Sequence, residues 1–239
     1  MNTESTKTFL IFGNGWIGNL LQQHIGDRAL ITDEDINTFV ESEKTSGFDV
    51  WVNTAAITNI DYAEENKRKA FETNVLGAWG LATDAKLAGK KYVFFSSACV
   101  FESDGPDDVK FEDSQPNPKC FYSETKLMAE RLIMEETPDA LILRPRLPIS
   151  STPHPRNTLD KLEKYPLIND AQESVTVIED MIPVILELVE RDERGIFHLV
   201  NAGTISPAEM ADLMGHPYKR VSKESQNERL KEEGRARRV

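Results

Sequence analysis

The residues best suited to chemistry are a tyrosine and a lysine four apart, in Tyr122-Ser123-Glu124-Thr125-Lys126. On a helix, positions four apart share a face, so the phenol and the ammonium would point into one site. A free phenol titrates near pH ~10, too high for efficient proton transfer at neutral pH. A neighbouring ammonium and an oxidised nicotinamide ring would both favour the phenolate and lower that value. Such a tyrosine can give a proton to a carbonyl oxygen while hydride arrives at the carbon. The carbonyl also needs a hydroxyl to hold it. Phe94-Phe95-Ser96-Ser97 supplies one at the end of an apolar run, and Ser97 is the candidate.

Hydride chemistry requires a dinucleotide site. Phe9-Leu10-Ile11-Phe12 runs into Gly13-Asn14-Gly15-Trp16-Ile17-Gly18, a GxGxxG that follows an expected strand and opens an expected helix. Glycines there allow a tight turn, close approach of the backbone to a pyrophosphate, and close helix–strand packing; the helix N-terminus stabilises the phosphate charge. An acidic residue after the second strand would hold the adenosine ribose and favour NAD over NADP. Asp33, the candidate, and Asp35 both stand near that place, so NADP(H) and NAD(H) remain equal alternatives. Asn53, Ala55 and Ala56, at the end of the third strand, are also expected beside the cofactor, as are Tyr122 and Lys126.

These groups need a scaffold to bring them together. Short apolar runs alternate with amphipathic segments, the pattern of a parallel sheet flanked by helices. Strands are expected at Thr8–Phe12, Ala29–Thr32, Asp49–Thr54, Tyr92–Ser97, Ala140–Arg144 and Ile196–Val200. Helices are expected at Trp16–His24, from about Lys69 to Leu87, and at Phe121–Glu135 and Ile178–Glu190. Phe101–Lys119, rich in Asp, Pro and Gly, and Arg146–Asn157, with Pro148, Pro153 and Pro155, read as loops. Both fall where open α/β sheets place ligands. The fold class is therefore α/β: a Rossmann-type doubly wound parallel sheet. A single NAD(P)-binding domain, 1–239, carries a small C-terminal substrate-binding lobe built mainly from 146–174 and 201–239.

Composition narrows the function classes. A net charge of −12 argues against a nucleic-acid surface, which needs clustered positive charge. Lys219 to Val239 is the exception, with eight basic and four acidic residues, and reads as a solvated terminal helix or as arginines beside an anionic substrate. No apolar stretch approaches the ~20 residues needed to cross a bilayer, and the polar Met1–Lys7 is not a signal peptide. Cys99 and Cys120 form no CxxC and no metal-ligand pattern, so no metal is expected and a reducing, cytoplasmic location is.

Taken in order, GNGWIG, NTAA, FFSSACVF, YSETK and LRPRLPIS resemble the extended short-chain dehydrogenases, in the branch containing dTDP-4-dehydrorhamnose reductase. Within that branch the chain is similar to the bifunctional UDP-4-keto-6-deoxyglucose 3,5-epimerase/4-reductases of UDP-rhamnose synthesis, from about Thr8 to Met214. The resemblance implies Ser97, Tyr122 and Lys126 as a reductase triad, and Cys99 and Lys161 as an epimerase acid/base pair. Cys99 follows the serine by two residues, as in GDP-fucose synthase. It also implies a nucleotide-sugar substrate, with Arg146, Pro148, Asn157 and Thr176 in contact with it, and leaves a homodimer open. The glycine motif is one residue shorter than the GxxGxxG usual in the branch and lacks the arginine of the rhamnose enzymes. At Val239 the relatives continue with an Asn-containing substrate segment and a last helix, so that part of the sugar-nucleotide wall is expected to be missing or rebuilt. Two alternatives stand beside this reading: a reductase without epimerase activity, and a non-catalytic Rossmann subunit like the regulatory subunit of methionine adenosyltransferase. The intact triad argues against the second.

Overall fold

The structure is a computed structural model and describes residues 7–102 and 108–235. Parts of the polar N-terminus, of the loop after the fourth strand and of the basic tail lie outside the described residues.

Six strands form one parallel sheet: β1 (Phe9–Phe12), β2 (Ala29–Thr32), β3 (Val50–Asn53), β4 (Lys91–Phe95), β5 (Leu141–Pro145) and β9 (Gly195–Leu199), in the order β2-β1-β3-β4-β5-β9. Every residue of β1, β3 and β5 is buried, as expected of strands covered on both faces. The helices α1 (Trp16–Ile25) and α7 (Ile178–Glu190) cover one face, packing Leu21, Ile182 and Ile185 on Ile11, Val52 and Leu143. The other face is covered by α4 (Ala78–Leu87) and α5 (Phe121–Glu136), whose Leu81, Ala129 and Ile133 meet Leu10, Trp51 and Phe94. The chain winds outward from β1 to β2 in one direction and from β3 to β9 in the other. The switch point, where such sheets bind ligands at their carboxyl edge, therefore lies between β1 and β3.

The expected helix from Lys69 to Leu87 is found in three pieces. These are α3 (Lys67–Phe71), a π-helical segment at Glu72–Gly77, and α4. A further helix, α2 (Ile60–Glu65), precedes them and had no clear apolar period. β4 stops at Phe95, two residues sooner than expected, and Ser97 caps a 3₁₀ turn at Ala98–Val100.

The lobe beyond the sheet has its own small core of Leu162, Ile168, Ala208, Met210 and Ala211. It is made of β6 (Pro148–Ile149) paired with β8 (Thr176–Val177), β7 (Leu167–Asn169) paired with β10 (Lys219–Val221), and the helices α6 (Thr158–Leu162), α8 (Pro207–Leu213) and α9 (Lys223–Glu232). Pro148 does not exclude regular structure here, because it opens a two-residue strand, a position that tolerates a missing N–H. The basic tail forms α9, a largely exposed helix anchored by Leu230, and Arg235 folds back to pair with Asp61 of α2 at 3.1 Å. Among the described residues, no helix is long and apolar enough to cross a membrane.

Candidate active site

Tyr122 and Lys126 lie on the first turns of α5, which carries them to the carboxyl end of β4. Both are buried, as is Ser97. The Ser97 side chain stands beside the Tyr122 phenol, and the Lys126 ammonium rests 4.1 Å from the centroid of the Phe94 ring. Burial pulls the Lys126 ammonium down to about 7, only partly offset by Glu130 one turn along the helix. Burial also pushes the Tyr122 phenol above its ordinary value, with Cys99 adding to the rise and Ser97 opposing it. The lowering of the phenol by Lys126 expected from the four-residue spacing is not found; desolvation dominates instead. Tyr122 is held in its protonated form, ready to donate.

Glu130 is itself fixed. Arg144 of β5 donates to both of its carboxylate oxygens, at 2.9 and 2.6 Å, and the Ser96 hydroxyl donates to one of them. Arg144 and Glu130 are both almost fully buried, so this is a bidentate ion pair inside the fold, beneath the lysine it faces.

Cys99 sits in the 3₁₀ turn after Ser97, where the strand has already broken. The Ser97 hydroxyl accepts from the Cys99 N–H at 3.2 Å, and Cys99 packs against the cluster containing Tyr122. Its Sγ accepts a hydrogen bond from Arg146 Nη1 at 3.0 Å. The Arg146 guanidinium is buried and also donates to Glu173 Oε2 at 2.9 and 2.6 Å. Burial alone would lower its pKa; Cys99 and Glu173 reverse that and raise it, so Arg146 is a permanent cation. Arg146 was expected to contact substrate directly. Its guanidinium instead grips a thiol and a carboxylate.

The three glycines of the turn do three different jobs. Gly13 has φ +102, and a Cβ there would come within 2.8 Å of the Ala55 backbone nitrogen. A Cβ on Gly18 would fall 2.3 Å from the Gly13 carbonyl oxygen. Gly15 is different: its nearest atom would be Arg156 Nη1, 3.9 Å away, so protein packing does not require a glycine there. The open space over the first turn of α1 fits the pyrophosphate of a dinucleotide. Asn14 donates to Asp33 at 3.5 Å, placing Asp33 beside the turn. Asp35 is taken up by its own loop, where the Asn37 backbone and side chain lower its pKa. Trp16 stacks on His154, and Ile17 packs into the core. Ala55, two residues past the end of β3, abuts Gly13, and Ala56 follows it. Asn53 is buried, with its amide donating to Tyr92 and accepting from the Ala55 N–H, so it builds the strand end rather than facing a cofactor.

The remaining expected substrate residues lie in the lobe. Asn157 caps α6 and bonds to the Ser150 and Thr152 backbone. Thr176 accepts from the Arg146 N–H and donates to the Leu199 carbonyl. Both side chains are committed and buried, so they shape the wall rather than present polar atoms. Pro148 is half-buried in β6. Lys161 lies on α6, and no hydrogen bond brings it to Cys99 among the described residues. Protein crowding first, and then the Arg156 charge, hold its ammonium below the usual lysine range, yet the side chain stays open to solvent, which limits that effect.

The chain matches the RmlD substrate binding domain family over residues 22–233. It is 31% identical over 232 residues to the Arabidopsis thaliana bifunctional dTDP-4-dehydrorhamnose 3,5-epimerase/dTDP-4-dehydrorhamnose reductase, covering 89% of this chain and 76% of that protein. The chain belongs to the RmlD substrate binding domain family. It is also 30% identical to an Arabidopsis thaliana trifunctional UDP-glucose 4,6-dehydratase/UDP-4-keto-6-deoxy-D-glucose 3,5-epimerase/UDP-4-keto-L-rhamnose-reductase over 86% of this chain, spanning 33% of that longer protein. Among solved structures, a UDP-rhamnose synthase from Acanthamoeba polyphaga mimivirus superposes with a TM-score of 0.82 at 25% identity, covering 93% of this chain and 86% of the other. A Bacillus anthracis dTDP-4-dehydrorhamnose reductase in complex with NADP has the same fold, with a TM-score of 0.78 at 22% identity, covering 91% and 85% of the two chains.

Sequence reasoning missed two supports of this site. Asn74, buried in the π-helical segment, bonds to both backbone groups of Ile57 and donates to Thr125 of α5 at 3.1 Å, tying the loop after β3 to α5. A polar amide on an otherwise helical run, just before Val75 and Leu76, was the available signal. Glu173, which holds Arg146, carried none.

Proposed function

We propose that this member of the family is an NAD(P)H-dependent reductase of a UDP- or dTDP-linked 4-keto-6-deoxyhexose, and that the same pocket epimerises carbons 3 and 5 first, giving a rhamnose-type sugar. The gathering of Tyr122, Ser97 and a buried Lys126 at the carboxyl edge of the sheet carries this reading. The turn at Gly13 to Gly18 has the open space that a dinucleotide pyrophosphate needs, and the NADP complex of the Bacillus anthracis structure supports such a cofactor.

Bound NAD(P)H supplies the hydride to the carbonyl carbon. Ser97 donates a hydrogen bond to the carbonyl oxygen and aligns it. Tyr122, kept protonated by burial, gives that oxygen its proton as negative charge develops. Lys126, poised near neutrality, stabilises the resulting phenolate when charged. Before reduction, the ketone acidifies the hydrogens on carbons 3 and 5. Cys99 removes such a proton, leaving an enolate whose charge rests on the ketone oxygen, and an acid on the opposite face returns a proton with inverted configuration. Arg146 stabilises negative charge on Sγ, and Lys161 supplies the opposite-face group.

Incubating the protein with a UDP-4-keto-6-deoxyhexose and NADPH or NADH tests this reading by the loss of nicotinamide absorbance. Tyr122→Phe should bind cofactor normally and lower the rate by ~10²-fold or more. Turnover close to wild type in that variant removes Tyr122 from the mechanism.

A further inference from the structure

We propose that Arg156 is a diphosphate-positioning residue, reaching from the lobe loop across the glycine turn to hold the pyrophosphate of the dinucleotide against the N-terminus of α1. The inference rests on the reading that the chain binds NAD(P)H.

Gly15 and Arg156 face each other. A Cβ at Gly15 would meet only Arg156 Nη1, whereas Gly13 and Gly18 are packed against backbone. Gly15 and Arg156 both line a cavity of about 390 Å³ that continues along α1 past Trp16, Leu20 and Gln23, with His154 on the loop side. A phosphate there would have the free N–H groups of the helix terminus on one side and a guanidinium on the other, which is the donor geometry that recognises phosphate oxygens in pairs.

The loop that carries Arg156 is docked while its guanidinium is not. The His154 ring lies parallel to Trp16, with centroids 5.1 Å apart and planes 4° from parallel. His154 Nδ1 accepts from the Arg156 N–H at 3.1 Å, and the His154 N–H donates to Asp160 at 2.7 Å. Pro153 and Pro155 flank the histidine and restrict the backbone. Among the described residues the Arg156 guanidinium makes no ion pair or hydrogen bond, and its charge bears on Lys161 instead. Arg156, at the edge of the glycine turn, thus repels a second cation, Lys161, in a chain of net charge −12. A diphosphate, with two negative charges, relieves that repulsion. The loop comes from the lobe and Gly15 from the Rossmann part, so occupancy of this position also ties the two together.

Calorimetric titration of wild type, Arg156→Met and Arg156→Lys with NADH and separately with UDP tests the assignment without any substrate. Arg156→Met should weaken NADH binding roughly tenfold or more, as expected for loss of a charged hydrogen bond. It should also flatten the salt dependence of that binding and leave UDP binding unchanged. Arg156→Lys should recover part of the loss. Unchanged NADH affinity in Arg156→Met overturns the proposal, as does a loss in Arg156→Lys as large as in Arg156→Met with the salt dependence intact. A loss confined to UDP also overturns it, by assigning the arginine to the substrate's diphosphate. A wild type that binds neither NADH nor NADPH overturns the reductase reading and this proposal together, whereas normal wild-type binding that Arg156→Met retains overturns this proposal alone.

Discussion

Lys126→Met makes the burial of this ammonium measurable as stability. The lysine is 1% exposed, and its ammonium is pulled down to about 7 by desolvation. In the unfolded chain it titrates near pH ~10.4. Between these values the unfolded state binds a proton that the folded state does not, so stability rises with pH across the window. From pH 7 to pH 9 this one group contributes an increase of about 2 kcal/mol; below pH 7 both states are protonated and the penalty of the buried charge is felt in full. Methionine keeps the aliphatic length and cannot titrate, while nearly every other group titrates alike in both proteins. Urea unfolding of wild type and Lys126→Met at pH 7, 8 and 9 should therefore show wild type gaining about 2 kcal/mol on the variant. Parallel stability curves over this range would refute the reasoning, because they would mean that the ammonium keeps its hydration in the fold.

The two open glycine questions separate cleanly. Gly15→Val should fold normally and lose NADH and NADPH binding, since a Cβ there meets nothing nearer than Arg156 Nη1 at 3.9 Å; Gly13→Val should lose stability by about 1–3 kcal/mol, from a strained φ of +102 and contact with Ala55. Thermal unfolding alongside cofactor titration distinguishes them, and intact binding in folded Gly15→Val would place the pyrophosphate elsewhere. Cys99→Ser should abolish exchange of the sugar's ring hydrogens with deuterated water while retaining reduction of an already epimerised substrate, followed by NMR. Full exchange in that variant would remove Cys99 from the acid/base chemistry and leave a reductase alone.

What the amino-acid order determined by itself is whatever depends on neighbours a few residues apart. The apolar runs of β1, β3 and β5, the glycine turn that follows β1, and the four-residue spacing of Tyr122 and Lys126 on α5 are all local, and all appear where expected. A serine at the end of β4 was legible for the same reason, although the break into a 3₁₀ turn was not. What only the tertiary structure decided depends on groups far apart in the chain. Asn74 bonds to Ile57 and Thr125, 17 and 51 residues away, and Arg146 meets Cys99 across 47 residues and Glu173 across 27. Spacing cannot reveal such pairs, because either partner alone reads as an ordinary polar side chain. Likewise only the folded chain shows that the Asp33 carboxylate meets Asn14 while that of Asp35 turns back on Asn37. The protonation of the site belongs to the same class. The spacing of Tyr122 and Lys126 suggested that the lysine would lower the phenol, but both lie in the interior, where the loss of water acts on each more strongly than their neighbours do. Desolvation is set by everything packed around a group, and so it exists only once the chain has folded.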